Sequence, residues 1–382
     1  MDNLTHSLVG LAAAKAGLEK LSPGATALCF IAANLPDADI VTLAGGRWTY
    51  LQNHRGITHS IAGTIVLALV LPFVFHGCAR LIARVRKREP ATRLRGLMVA
   101  SVVVTATHPL LDWTNNYGVR LLLPWNSRWF YGDLVFIMDP VFWLVLGGAV
   151  FLVTSKLRSQ LTAWIAIAVV PSLLVFFGPV GRGGLANAMP LQVLWISALL
   201  GLVVLYKREV GPRWGAKIPR LALAIIVFYV AGLFAVHVLA LRRLSLLASE
   251  ITKQANEHPV ALAAMPTLAN PLRWLCIVET ESSAFRFELA LGGGETKPTN
   301  IVRYQKPDVF SSPAVAQASA DYRAQVFLGF ARFPVLQVAD PNCTTQTLVQ
   351  FADLRYTEPG SNRGTFSLEV PVNCSVTTES AK

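Results

Sequence analysis

The amino-acid sequence predicts a polytopic α-helical membrane protein with a C-terminal β-rich domain, all-β or α+β, outside the membrane. Three observations lead to this fold class. The 382 residues are 53% apolar with a mean hydropathy of +0.47. Charged residues make up 15% of the chain, against about 25% in soluble domains. Several apolar stretches approach the roughly 20 residues that a membrane-spanning helix needs.

Six stretches are predicted to span the membrane, at about residues 57–78, 96–112, 134–154, 160–178, 189–206 and 219–240. Residues 4–18 and 24–36 are shorter apolar segments separated by the turn residues Ser22-Pro23-Gly24. They predict a helical hairpin that partly crosses the membrane. The N-terminal segment has no basic region before its apolar run, so no signal peptide is predicted.

The basic charge is confined to the apolar part of the chain. Residues 1–243 carry a net charge of +14, whereas residues 244–382 carry −2. Short loops that stay in the cytoplasm retain an excess of Lys and Arg. The basic connections at 80–95, 156–158 and 207–220 are therefore predicted to be cytoplasmic, which places the C-terminal part outside the cytoplasmic (inner) membrane. The charge thus indicates membrane topology and not nucleic-acid binding.

The composition changes near residue 244. We expect a helical membrane domain over 1–243, a polar linker over 244–269 and an extracytoplasmic β-rich domain over 270–382. Runs such as 274–280, 285–291 and 365–372 are separated by Gly, Pro and Asn, which is typical of strands and turns. In an oxidising compartment, Cys343 and Cys374 are candidates for a disulfide bond.

Ionisable residues of the membrane domain gather at the helix ends that are predicted to lie outside. Charged groups are costly at membrane depth, so such residues usually share partners and serve a function. They come from five different segments and comprise His6, Asp37, Asp39, His54, His59, His108, Asp112, Asp133 and Asp139. The gathering of these residues at one face predicts a functional site.

Two carboxylates follow an apolar helix in the motif NLPDAD. Pro36 disfavours helix at Leu35, which puts Asp37 and Asp39 just beyond the helix end. Carboxylates spaced in this way can chelate a cation. A polar turn facing water is the alternative reading of the motif.

Two histidines lie five residues apart in the motif HRGITHS. On one continuous helix they would point about 140° apart. If Thr58 caps the following helix, His54 can fold back from the preceding loop toward His59, and Arg55 is left to hold an anionic group. The alternative is an interfacial cap with incidental histidines.

His108 and Asp112 are spaced i, i+4, which makes them neighbours on a helix and half of a metal site. Pro109 leaves a second possibility, in which His108 is a cap and Pro109 the first helical residue. Asp139 precedes another proline and is either an N-cap or a catalytic carboxylate. The isolated His6 is either a ligand or a structural residue.

The motifs MDNLTHSLVG, NLPDAD, HRGITHS and HPLLDWTNNYG, spaced over residues 1–140, resemble the YdjM-like family of membrane-bound, metal-dependent hydrolases. The phrase NPLRW at 270–274 is similar to that family as well. The resemblance implies a metal-binding hydrolase of unassigned substrate. Its motif positions in this sequence are His6, Asp37, Asp39, His54, His59, His108 and Asp112. The pattern at 108 and 112 also resembles zinc-dependent phospholipase C.

These patterns predict metal-assisted hydrolysis at the outer membrane face, on an amphiphilic substrate such as a phospholipid or another phosphoester. One or two Zn²⁺ ions, with Mn²⁺ as an alternative, would activate water. One of Asp37, Asp39 and Asp139 would be the general base, and Arg55 would stabilise developing negative charge. The alternatives are a metal-binding membrane protein or transporter without hydrolytic chemistry, and a structural membrane protein.

Overall fold

The structure is a computed structural model that describes residues 1–89, 91–178, 185–253, 255–292, 298–306, 312–341, 345–361 and 366–374. It divides into two compact units. The first comprises Met1–Ala38 and Arg55–Phe234, and the second comprises Asp39–His54 and Ala235–Lys382.

The first unit is helical. Its α-helices are α1 (Asn3–Ala16), α2 (Ala25–Asn34), α4 (Ile61–Val85), α5 (Leu94–Trp113), α6 (Pro140–Phe142), α7 (Gly148–Thr154), α8 (Arg158–Phe177), α9 (Leu185–Lys207), α10 (Val210–Trp214) and the first half of α11 (Lys217–Lys253). A 3₁₀ helix, Leu35–Gly45, continues α2, and its residues from Asp39 onward belong to the second unit. Another, Ile57–His59, precedes α4.

Within the residues that the structure describes, six helices are long and apolar enough to cross a membrane: Ala25–Gly45, Ile61–Val85, Leu94–Trp113, Arg158–Phe177, Met189–Lys207 and Lys217–Lys253. With the β-rich region described below, they confirm the predicted fold class. Many of their large apolar side chains are exposed, among them Val66, Phe73, Val170 and Phe228. Exposed apolar side chains on several long helices are typical of contact with a lipid bilayer.

The stretch predicted to span at 134–154 forms a shorter apolar helical segment, Pro140–Thr154, instead. Asp139 accepts a hydrogen bond from the Val141 amide and caps the segment, and Pro140 occupies its first turn. These two residues set its start. A π-helical turn, Trp143–Gly147, then joins α6 to α7. The sixth long helix is Ala25–Gly45, for which the sequence predicted a partial crossing.

The core of the first unit is made by α1, α2 and α5. Ala14, Leu28, Ala32 and Val104 are fully buried there. The close contact of α1 with α2 depends on Gly10, because a Cβ at this position would lie 2.6 Å from the Cys29 carbonyl oxygen. Small residues at helix crossings allow such close backbone approach in membranes.

The second unit contains α3 (Arg47–Asn53), the C-terminal half of α11, α12 (Pro313–Ala320) and α13 (Tyr322–Phe330). Its strands are β1 (Ala261–Thr267), β2 (Asn270–Glu279), β3 (Ser283–Ala290), β4 (Thr299–Gln305), β5 (Pro334–Val338), β6 (Gln346–Asp353) and β7 (Ser367–Asn373). They form two antiparallel sheets, in the orders β1-β2-β3-β4 and β5-β6-β7.

Both sheets of the second unit pack on helices. Leu244 and Ile251 of α11 share an apolar core with Trp274 and Phe287 of the four-stranded sheet. The three-stranded sheet packs on α12 and α13 in a second core. Of the two cysteines predicted to pair, Cys374 is disulfide-bonded, and Cys343 lies outside the described residues.

We predict that Gly10→Ala lowers the stability of the first unit by about 1–3 kcal/mol, since the added methyl group overpacks the α1–α2 contact. Thermal unfolding of the protein in detergent measures the effect. Gly201→Ala is the matched control, because no atom lies within 4 Å of a Cβ built there. Equal melting temperatures for the two variants would contradict the prediction.

Candidate metal centre

Four ionisable side chains from three segments meet inside the first unit. They are Asp37, His59, His108 and Asp112, and one donor atom of each lies within 4.8 Å of the others. Both histidines and Asp112 are fully buried, whereas the side chain of Asp37 is 18% exposed. This cluster could hold a metal ion, with Asp37 on its accessible side.

Local sequence places each of these residues at a helix end. The α-helix α2 ends at Asn34, directly before the Leu35-Pro36 step, and Asp37 lies in the 3₁₀ helix that follows. Helix α5 runs through Pro109 to Trp113, so the helical possibility for His108 and Asp112 is the one observed. Their side chains meet one turn apart, with 3.4 Å between His108 Nε2 and Asp112 Oδ2.

The cap of α4 is Ser60, and the expectation that Thr58 caps this helix is wrong. The Gly63 amide donates to Ser60 Oγ at 3.0 Å. Residues 57–59 form a 3₁₀ turn, so Thr58 comes too early in the chain to reach the free amides of α4. Its hydroxyl instead lies 3.0 Å from His59 Nδ1. This contact leaves Nε2 as the nitrogen of His59 that faces the cluster.

Five of the six separations between the donor atoms of the cluster are short and similar. His59 Nε2 lies 3.2 Å from His108 Nε2, 3.3 Å from Asp37 Oδ1 and 3.2 Å from Asp112 Oδ2. His108 Nε2 lies 3.5 Å from Asp37 Oδ1 and 3.4 Å from Asp112 Oδ2. Two imidazole nitrogens and two carboxylate oxygens therefore surround one small volume.

The tautomer of His108 is fixed by a hydrogen bond on the far side of its ring. Nδ1 lies 2.6 Å from the carbonyl oxygen of Ala33. A carbonyl oxygen can only accept, so Nδ1 carries the proton, and in the neutral ring Nε2 presents a lone pair to the cluster. Metal-binding histidines commonly donate their second N–H in this way.

The second oxygen of Asp112 binds cationic groups. Arg55 Nη2 lies 2.8 Å from Asp112 Oδ1, and the α-amino group of Met1 contacts the same oxygen. Arg55 itself is buried, donates to Asn115 Oδ1 at 3.0 Å and lies over the ring of Tyr117. The guanidinium group thus orients the carboxylate, with Oδ2 toward the histidines.

His6 lies beside the cluster. Its ring stacks on His108 with 3.7 Å between centroids, and its Nε2 is 3.4 Å from Asp112 Oδ1. The side chain is buried, and neither ring nitrogen forms a hydrogen bond with the part of the chain that the structure describes. A buried imidazole with two unsatisfied nitrogens fits a site completed by an ion or water.

Two other candidates, Asp39 and His54, belong to the second unit. His54 ends helix α3, and its Nδ1 lies 3.1 Å from Asp39 Oδ1. Its ring also stacks on Tyr50 with 4.6 Å between centroids. The predicted ligand roles of both residues and the predicted base role of Asp39 stay predictions.

Asp139 is engaged as a helix cap. Its Oδ1 accepts from the Val141 amide at 2.8 Å, and its Oδ2 accepts from the Tyr229 hydroxyl at 2.9 Å. Burial raises the pKa of the Asp139 carboxyl. Its predicted role as a general base also stays a prediction.

Sequence reasoning did not single out Asn115 and Tyr117 as part of the site. Both are buried, and the Tyr117 amide donates to Asn115 Oδ1 at 2.9 Å. They lie in the segment WTNNYG, the second half of the motif HPLLDWTNNYG. The signal available in the sequence was the Asn-Asn pair that begins three residues after the predicted ligand Asp112, because amides close to a ligand often support charged neighbours.

Comparison with known proteins agrees with the resemblance seen in the motifs. An uncharacterized protein of Bacillus subtilis (strain 168), YfhP, is 26% identical over 150 residues, which are 37% of this chain and 42% of YfhP. The matched region thus spans less than half of that relative. No solved structure matches the chain.

A family model described as YdjM inner membrane protein matches residues 1–184. This range contains all four residues of the cluster, together with His6 and Arg55. The match and the six candidate spans support a multi-pass inner membrane protein. The expected resemblance to the YdjM family is confirmed over these residues.

Proposed function

We propose that the protein is a membrane-bound, metal-dependent hydrolase whose ion is held by Asp37, His59, His108 and Asp112. The observation that carries the proposal is the spacing of the four donor atoms. Tetrahedral Zn²⁺ with ligands at about 2.0–2.2 Å keeps them about 3.3–3.6 Å apart. Five separations in the cluster lie between 3.2 and 3.5 Å. Mn²⁺ also binds imidazole and carboxylate, and is the second choice.

The surroundings of the four side chains support this assignment. The bond of His108 to Ala33 and the contact of His59 with Thr58 orient both rings. Arg55 holds Asp112 Oδ1, so we assign it a positioning role in addition to the predicted stabilisation of negative charge. A bound divalent ion would lower the pKa of water and polarise a scissile bond.

Asp37 is the best candidate for the general base. It is the cluster residue with solvent access, and its Oδ1 faces both histidines. If a water replaced Asp37 as the fourth ligand, this carboxylate would be placed to accept the water's proton, while the three buried residues would retain the ion. Because the candidate site belongs to a membrane-embedded unit, we propose an amphiphilic substrate with a phosphoester or another hydrolysable headgroup.

The metal assignment is tested by elemental mass spectrometry of the detergent-purified protein. We expect about one zinc or manganese ion per chain in the wild type and less than about a tenth of an ion in His59→Ala and Asp112→Asn. His76→Ala is the control, since His76 pairs with Thr92 away from the cluster. Size-exclusion profiles separate ion loss from misfolding. A full complement of ion in folded His59→Ala would contradict the assignment.

Hydrolysis is tested with the metal-loaded protein on phospholipids and soluble phosphoesters. We expect turnover that a chelator removes, and about a 100-fold or greater loss of rate in Asp37→Asn if Asp37 is the base. Wild-type protein with its ion but without turnover on any substrate would favour the alternative, a metal-binding protein or transporter. Ion uptake into proteoliposomes would then distinguish a transporter from a protein that only binds the ion.

We also propose that the second unit lies outside the inner membrane, on the basis of the basic connections. Alkaline phosphatase fused after residue 382 should then be active, and a green fluorescent protein at the same position should not fluoresce. The same reporters inserted in the basic loop at residue 88 should give the opposite result. Fluorescence of the C-terminal fusion would place the second unit in the cytoplasm and contradict the proposed orientation.

A further inference from the structure

A cavity of ≈400 Å³ lies in the first unit, apart from the metal cluster. Helix α1, the π-helical turn, and helices α7, α8 and α9 form its walls. Its volume falls in the range of small-molecule sites, about 300–1,000 Å³. Among the described residues that line it, Lys207 is the one charged residue, and it lies at the end of α9.

The three tryptophans of this cavity present carbon surface and no free N–H group. Three tryptophans line it, and each indole N–H is bonded to a residue outside the lining. Trp143 donates to Thr5, Trp164 to Thr154 and Trp195 to Ser172. A cavity with such walls gives water few partners, so it favours an apolar occupant.

The length of the cavity matches one leaflet of a bilayer. On α9 the lining residues run from Trp195 to Lys207 along one helix face. Twelve residues of helix cover about 18 Å. The hydrocarbon of a single leaflet is about 15 Å thick. An acyl chain could therefore follow α9, with its headgroup beside Lys207.

We infer that this cavity binds one phospholipid, with an acyl chain along α8 and α9 and an anionic headgroup at Lys207. Lys207 supplies the charge that selects an anionic headgroup. Arg208 follows it directly, and Arg213 lies six residues beyond Lys207 along the chain. On α1, Leu4 and Leu8 face the cavity, whereas His6, two positions away, stacks on His108. Helix α1 thus separates the lipid site from the metal cluster, and this inference is independent of the proposed hydrolysis.

The test uses the cavity tryptophans of the full-length protein. Phosphatidylglycerol with brominated acyl chains is titrated into the protein in detergent, and tryptophan fluorescence is followed. We expect saturable quenching at about one lipid per chain. Brominated phosphatidylcholine should bind about five-fold more weakly, and Lys207→Gln should remove this difference. Equal affinities of the two lipids in the wild type would overturn the headgroup assignment.

Filling the cavity provides the matched comparison. Ala168→Phe puts a ring into the cavity, whereas Ala166→Phe puts the same ring on the exposed side of α8. We expect the first variant to lose saturable quenching and the second to retain it. Melting curves show whether both variants fold, and if Ala168→Phe does not fold, Leu199→Phe serves as the filling variant. If quenching does not saturate and is the same in the filling variant and in Ala166→Phe, the cavity is not the lipid site and the inference is overturned.

Discussion

The buried carboxylate of Asp112 is the interaction on which the rest of the site depends. An ionised carboxylate without compensation is very costly in a buried setting. One of its oxygens binds the guanidinium group of Arg55, and the other faces His59 and His108. The segments before α4 and within α5 are therefore connected through a single charged group.

The backbone around Arg55 is adapted to this ion pair. Arg55 has a φ of 53°, in the left-handed region that non-glycine residues seldom occupy. Strain of this kind persists where the surrounding contacts enforce it. Here Asn115 and Tyr117 surround the guanidinium group. The turn between α3 and α4 thus gives up some backbone stability to position one side chain.

The fold class followed from hydropathy and charge, because both report directly on the bilayer. The meeting of Asp37, His59, His108 and Asp112 followed in part from their positions at helix ends. Other features depend on tertiary packing. Pro109 disfavours helix locally, yet α5 continues through it because its buried face packs on α2. The Arg55–Asp112 pair and the cavity beside α9 join segments that are distant in sequence, so no local sequence pattern predicts them.

If the proposed ion binds the four cluster residues, their spread along the chain has a consequence for the lifetime of the protein in the cell. Asp37, His59 and Asp112 come from segments that would separate if the helices came apart. An ion bound to them acts as a cross-link, and it stabilises the folded state in proportion to the logarithm of its free concentration. Metal supply would then set the fraction of chains exposed to membrane proteases, so that starvation for the ion reduces the amount of protein as well as its occupancy.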